Sequence, residues 1–253
     1  MEWLDRFVSV MDIVSNVSLD GISMTEIQQE TGLAKSTLHR MLTDMVDQGL
    51  LSQIPANKRY RIGPRPMVWG SKYLEGQDPA RLLARFCDVL SERTGLYVFL
   101  CRYDNGEIYC IYTRRPSTQR AKYFVHIGQK MPLHCSAAAK VILAFQNPGE
   151  IQYLLSQHKY QAFTEDTKCE KEEVIKELEQ VRKAGIAFCR NEMEPNVTTF
   201  SVPVSFSDEE VLFSISIIGE TVDMESREIT LLRELLRIGQ EASKFMKMSR
   251  SLI

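Results

Sequence analysis

The chain has 253 residues, 44% of them hydrophobic and 25% charged, with a formal net charge of −2 at pH 7. These are ordinary values for a globular protein long enough to bury a core, and they exclude a chain disordered over most of its length. The apolar run 137–145 is interrupted by Lys140 and falls far short of the roughly 20 residues a spanning helix needs, so no membrane partner is expected.

Residues 3–14 carry apolar side chains at 3, 4, 7, 8, 10, 11 and 14, a helical rhythm. Ser23-Met24-Thr25-Glu26 has the capping-box pattern, in which the serine oxygen accepts from the Glu26 amide and the glutamate returns the bond. A short helix is predicted over 24–31, stopped by Gly32, which tolerates positive φ. The next helix is predicted to begin between Ala34 and Ser36. Its Leu38, Met41, Leu42, Met45 and Val46 fall at i, i+3, i+4, i+7 and i+8, a stripe to be buried, and Gly49 ends it. Residues 50–54 and 59–62 are predicted strands of a hairpin turned by Pro55 and Asn57. A linking helix over 67–74 is closed by Gly76 and Pro79. The domains are therefore predicted at 1–63 and 80–253, with a linker at 64–79.

The second domain begins with a helix over 80–93, followed by Gly95. Strands at 97–103 and 107–113 flank Asp104-Asn105-Gly106, a strong hairpin signal. A third strand is predicted at 121–128. Helices are predicted at 136–145, 150–156 and 170–183, strands at 185–190, 200–206 and 211–219, and one long last helix at 225–246. Strand runs with intervening helices make this an α+β domain around a mostly antiparallel sheet.

The net charge hides a local surplus. Between Lys35 and Arg65 six cations (Lys35, Arg40, Lys58, Arg59, Arg61 and Arg65) stand against only Asp44 and Asp47. Helix, glycine turn, helix and basic hairpin is the layout of a winged helix-turn-helix, whose second helix enters the major groove. With the stripe turned inward, Ser36, Arg40 and Thr43 lie opposite it, beside Lys35, and Thr37 and His39 lie on the flanks. Arg40 can hold a guanine by two bonds, and the hydroxyls can bond phosphate or base. Lys58, Arg59 and Arg61 on the wing suit the phosphate backbone. The partner is thus double-stranded DNA. An RNA partner would call for an aromatic stacking surface that the chain lacks.

The stretch Ser23 to Ile27 with Thr31-Gly32-Leu33-Ala34-Lys35-Ser36-Thr37-Leu38-His39-Arg40-Met41-Leu42 resembles the helix-turn-helix of the IclR-type transcriptional regulators. Tyr60-Arg61-Ile62-Gly63 resembles the end of that family's wing. Residues 131–144, opening on Met131-Pro132-Leu133-His134, are similar to the start of its effector domain's ligand loop and helix, and 185–204 and 214–219 to its closing strands. Gln28 stands where the family often has alanine, and Ala139 where glycine is common.

The resemblance implies an N-terminal winged helix-turn-helix and a C-terminal GAF-like effector-binding domain. It implies a repressor of a catabolic operon, a small organic acid or aromatic metabolite as effector, and a homodimer or homotetramer. Carried over residue by residue, it sets the amides of Ala137 and Ala138 against the effector and an acidic pocket position on Cys189. A position that is often cysteine falls on Thr199, and two pocket serines fall on Ser214 and Ser216, or on Ser216 and Ile218. With Cys189 and Ile218 in place of polar groups, the expected effector is larger or more apolar than a two-carbon acid. Residues 3–11 and 67–74 are expected to pair the DNA-binding domains of two copies, matching paired half-sites.

Six cysteines (87, 101, 110, 135, 169 and 189) include no C-x-x-C pair, and the four histidines (39, 126, 134 and 158) are scattered. No metal site and no cofactor are expected. The opening Met1-Glu2-Trp3-Leu4-Asp5 has acids in place of a basic n-region, so no secretory signal is expected, and free thiols in the cytoplasm follow. Cys135 beside His134 is not expected to act as a nucleophile, because adjacent side chains seldom face each other. His134 is expected to be structural. Residues 170–179 are a charge run with i, i+4 pairs, read as a solvated helix face. The alternative to a regulator is a small-molecule sensor or enzyme domain under a helical cap that does not bind DNA. Lys35, Arg40, Arg59 and Arg61 argue against it, since catalysis would not call for them.

Overall fold

A computed structural model describes residues 2–18, 20–75, 78–116, 125–206 and 211–250. The chain forms two compact units, Met1–Gln77 and Asp78–Ile253. Gly76 and Gln77, where the linker was expected to close, lie outside the described residues.

The first unit contains α1 (Trp3–Ser15), α2 (Met24–Thr31), α3 (Lys35–Asp47), β1 (Leu51–Gln53), β2 (Tyr60–Ile62) and α4 (Pro64–Glu75). The capping box forms: Glu26 N donates to Ser23 Oγ at 3.3 Å, and Ser23 N donates to Glu26 Oε2 at 2.8 Å. Gly32 sits at φ +66° and its N–H returns to the Gln28 carbonyl, which ends α2. From α3, Leu38, Met41, Leu42 and Met45 are buried against Val10, Val14, Ile27 and Leu51, while Val46 packs at the edge of this core. β1 and β2 pair antiparallel, Leu51 opposite Ile62.

Gly63 joins the wing to α4 where three backbones meet. A Cβ there would lie 2.3 Å from the Gly49 carbonyl oxygen and 2.8 Å from that of Leu51. Backbone cannot swing aside as a side chain can, so Gly63→Ala should cost about 1–3 kcal/mol. Denaturant unfolding followed by circular dichroism checks this, and an unchanged midpoint would contradict it.

The second unit contains α5 (Asp78–Thr94), β3 (Tyr97–Asp104), β4 (Glu107–Arg114), α6 (Ala137–Leu143), α7 (Pro148–Gln157), α8 (Lys171–Ala184), β5 (Ala187–Arg190), β6 (Val197–Ser205), β7 (Val211–Glu220), α9 (Thr221–Ser226) and α10 (Glu228–Arg250). The sheet order is β4-β3-β7-β6-β5, and every one of these pairings is antiparallel. One face packs Val98, Leu100, Ile215 and Ile217 against α5 and α10. The other packs Tyr97, Phe99, Cys101 and Ile218 beneath α6. Ala137, Ala138 and Ala139 let α6 lie close on the sheet, and all seven of its residues are buried.

Two expectations need correction. Of the strand expected at 121–128, residues 121–124 lie outside the described residues, and 125–128 lead into a turn. That turn bonds along β4 at isolated points, Gly128 N to the Cys110 carbonyl and Met131 N to that of Ile108, without forming a strand. The last helix is two. Arg227 leaves helical geometry at φ −113°, and its guanidinium donates to the Thr94 carbonyl and to Asp223. α9 therefore packs on β6 and β7, and α10 crosses to α5.

Candidate nucleic-acid interface and effector cavity

The inward stripe fixes which residues of α3 can meet a partner. Lys35, Ser36, His39, Arg40 and Thr43 are exposed, and Thr37 is half-buried. Thr37 and Arg40 border a cleft of about 300 Å³ against Trp3, Arg6 and Phe7 of α1. Thr43 Oγ donates to the His39 carbonyl at 2.9 Å. On the wing, Lys58 and Arg61 are exposed, Lys58 in the turn at φ +59°.

Arg59 is placed differently. Its Nε donates to the Gly21 carbonyl at 2.9 Å, and its Nη2 lies 3.0 Å from Glu26 Oε2. Glu26 is held below its ordinary pKa, first by the Ser23 bonds and then by Arg59. The guanidinium thus ties the wing back to the capping box of α2. Arg59→Ala should weaken binding to all duplexes alike and leave the slope of log affinity against log salt unchanged. Arg61→Ala, at an exposed wing position, should lower that slope by about 1. Equal slope losses for both variants would restore Arg59 to the phosphate contacts.

The second unit holds a cavity of about 110 Å³ beside the start of α6. Phe99, Val125, Met131, Met193, Val197 and Ile218 give it apolar walls. Gln129, Ser136, Glu194 and Thr199 add polar groups, with Cys189 and Ala137 between them. Of the residues expected here, Ala137, Cys189 and Thr199 reach the cavity. Ala138 is buried behind its wall. Ser214 and Ser216 share the sheet face but lie deeper: Ser216 Oγ bonds Ser201 Oγ at 2.8 Å, and Ser214 Oγ has no partner among the described residues. β7 contributes Ile218 instead. Burial pushes the Cys189 thiol up to about 11, so it stays protonated at neutral pH.

Gln129, Ser136, Met193 and Glu194 carry no motif of their own. Gln129 and Ser136 flank the loop 130–135. Met193 and Glu194 stand in the irregular turn between β5 and β6, where Asn191 and Asn196 take positive φ.

Behind the cavity lies a buried ion cluster that sequence reasoning missed. Lys140 of α6 is fully buried, and its Nζ donates to Glu192 Oε1 at 2.7 Å, Glu192 Oε2 at 2.9 Å and Glu177 Oε1 at 2.8 Å. Lys168 Nζ takes the other Glu177 oxygen at 2.9 Å. Burial alone would lower the Lys140 pKa, but Glu192 and Glu177 outweigh it and leave it raised. Burial pushes Glu192 up, yet an ammonium holding both its oxygens favours the ionised pair. Glu177 is therefore not part of a merely solvated face. Thr167 Oγ1 also donates to the Glu192 carbonyl, so the turn carrying Met193 and Glu194 is fixed from two sides.

His134 is buried and structural, with Nδ1 2.7 Å from His158 Nε2 and Nε2 3.0 Å from the Gln161 carbonyl. Burial, then the charges of His134 and Lys130, depresses His158 from 6.5 to about 4. Burial also lowers His134. Both histidines are held neutral in the fold, so their contribution is present above the unfolded value and lost on acidification. Thermal stability should fall as pH drops from 6.5 toward about 4. His158→Gln should flatten that fall, and an unaltered pH profile would contradict the assignment.

A family model described as the IclR helix-turn-helix domain matches residues 4–55, and one described as bacterial transcriptional regulator IclR C-terminal matches 71–244. The chain is 29% identical over 243 residues to the DNA-binding transcriptional repressor YiaJ of Escherichia coli K12, spanning 95% of this chain and 86% of that protein. It is similar in fold to an IclR transcriptional regulator from Alicyclobacillus acidocaldarius, with a TM-score of 0.78 at 21% identity over 96% and 98% of the two chains. An IclR homolog from Microbacterium hydrocarbonoxydans, complexed with 4-hydroxybenzoate, gives 0.74 at 21% identity over 96% and 99%.

Proposed function

The chain belongs to the IclR family of bacterial transcriptional regulators, and from that premise we propose that it represses a catabolic operon under control of a small apolar effector. It acts in the cytoplasm, as a homodimer or homotetramer, on double-stranded operator DNA. The observation that carries the DNA half is the polar outer face of α3 set over a buried inner stripe. Ser36, His39, Arg40 and Thr43 face the bases, with Thr37 at their border. Lys35, Lys58 and Arg61 take phosphates, and Arg59 holds the wing in place. The exposed Trp3, Leu4 and Val8 of α1 and Met67, Val68 and Trp69 of α4 supply an apolar surface for pairing with a second copy.

The effector occupies the cavity beside Ala137. An engineered apolar cavity of roughly 150 Å³ takes up benzene. A cavity of about 110 Å³ therefore limits the effector to about one small ring. Its walls favour a more apolar effector rather than a larger one. Ser136, Thr199 and Gln129 orient its polar end. The homolog complexed with 4-hydroxybenzoate supports testing one-ring acids first. A thermal-shift panel of one-ring acids and two-carbon acids tests the reading. One-ring acids should raise the midpoint, and a response to two-carbon acids alone would overturn it.

A further inference from the structure

A larger cavity in the second unit lies on the far side of the 131–136 segment. It encloses about 410 Å³ between the β3–β4 turn, the end of α7 and residues 158–163. Only Met131 lines both this cavity and the effector cavity.

Its lining has a definite chemistry. Lys130 and Lys159 bring two ammonium groups, and Glu107 is the one carboxylate in the wall. Glu107 is already engaged by Lys130 and Tyr109. Lys159 has no ion-pair partner among the described residues and leaves the cavity with a net positive charge. Leu133, Leu154 and Phe163 supply apolar surface. The Phe163 ring stacks on His134 at 6.2 Å and 21°, while 40% of the residue stays exposed.

The histidine pair fixes its own protonation. His134 Nε2 faces a carbonyl and must carry the proton, so its Nδ1 accepts and His158 Nε2 donates. His158 lines the cavity, and its Nδ1, left as an acceptor, has no protein partner among the described residues. An unpaired ammonium and a ring face therefore meet in one concave site, beside an imidazole lone pair that leaves the ammonium as the donor to an anion. Such a set fits an anionic group attached to a planar body.

We propose that this cavity is a second small-molecule site, taking a carboxylate with a flat apolar body. The carboxylate sits between Lys159 and Lys130, and the body lies against Phe163 and Leu154. Occupancy presses on the segment that also walls the effector cavity, and linkage makes any such influence reciprocal.

The test uses the full-length protein labelled with 15N-histidine, titrated with sodium benzoate or with benzamide, its uncharged counterpart. Benzoate should shift the His158 imidazole signals and leave those of His39 unmoved. Benzamide should bind about tenfold more weakly, the loss expected for one charge-assisted bond. Lys159→Gln, at an exposed position that the fold does not use, should weaken benzoate by a similar factor. Unmoved His158 signals at millimolar benzoate would overturn the proposal. So would a shift undiminished in both Lys159→Gln and Phe163→Ala, which would place the ligand elsewhere.

Discussion

Lys140→Met should destabilise the protein by about 3–5 kcal/mol, the cost of breaking a buried ion pair from one side. The substitution fills nearly the same volume but leaves both Glu192 oxygens buried without a partner. Glu177 suffers less, because Lys168 still holds its second oxygen. Lys140→Met combined with Glu192→Met should recover most of the loss, since a well-packed apolar pair is often as stable as the ions it replaces. Urea unfolding followed by circular dichroism measures both. A single variant within about 0.5 kcal/mol of the parent, the range of ordinary surface changes, would show that water or a rearranged side chain satisfies Glu192. The cluster also bears on function. Lys140 lies one turn beyond Ala137, and Glu192 precedes Met193 and Glu194, so the pair joins two walls of the cavity proposed for the effector.

The second large effect belongs to the DNA surface. Arg40→Ala should lose about 1–3 kcal/mol at the preferred operator and relax the preference at one base position. Arg40 is the only arginine on the exposed face of α3, and two-bond contact with guanine is the commonest specific contact an arginine makes. Its neighbours in the α1 cleft, Trp3 and Phe7, stack on each other at 5.7 Å. Binding measured against a set of single-base operator variants separates loss of readout from general weakening. Equal operator affinity for parent and Arg40→Ala would remove this residue from recognition.

Much of the first unit was legible because its signals are local. The Ser23–Glu26 box, Gly32 and the stripe from Leu38 to Met45 each act within one or two helical turns. The Asp104-Asn105-Gly106 hairpin is local in the same sense. What escaped notice acts across the chain. Lys140 meets Glu177 and Glu192 from 37 and 52 residues away, and nothing near position 140 announces either partner. Arg59 reads as a wing cation until Gly21, 38 residues earlier, is seen to accept its Nε proton. The break at Arg227 has no glycine or proline to mark it, because the Thr94 carbonyl that helps hold it belongs to another helix. In the cavity, the resemblance left open whether β7 offers Ser214 and Ser216 or Ser216 and Ile218. A likeness along the strand could not tell that both serines are sealed beneath α6 while Ile218 stands at the wall.

A regulator of this kind binds DNA in a sequence-dependent, salt-dependent way. Fluorescence anisotropy of the purified protein tests it most directly, using duplex DNA from the gene's own upstream region beside a scrambled duplex at two salt concentrations. Binding should be tighter to the upstream duplex and fall steeply with salt as the phosphate contacts of Lys35, Lys58 and Arg61 are screened. Absence of binding to either duplex at low salt would contradict it, since the phosphate contribution alone should be visible there.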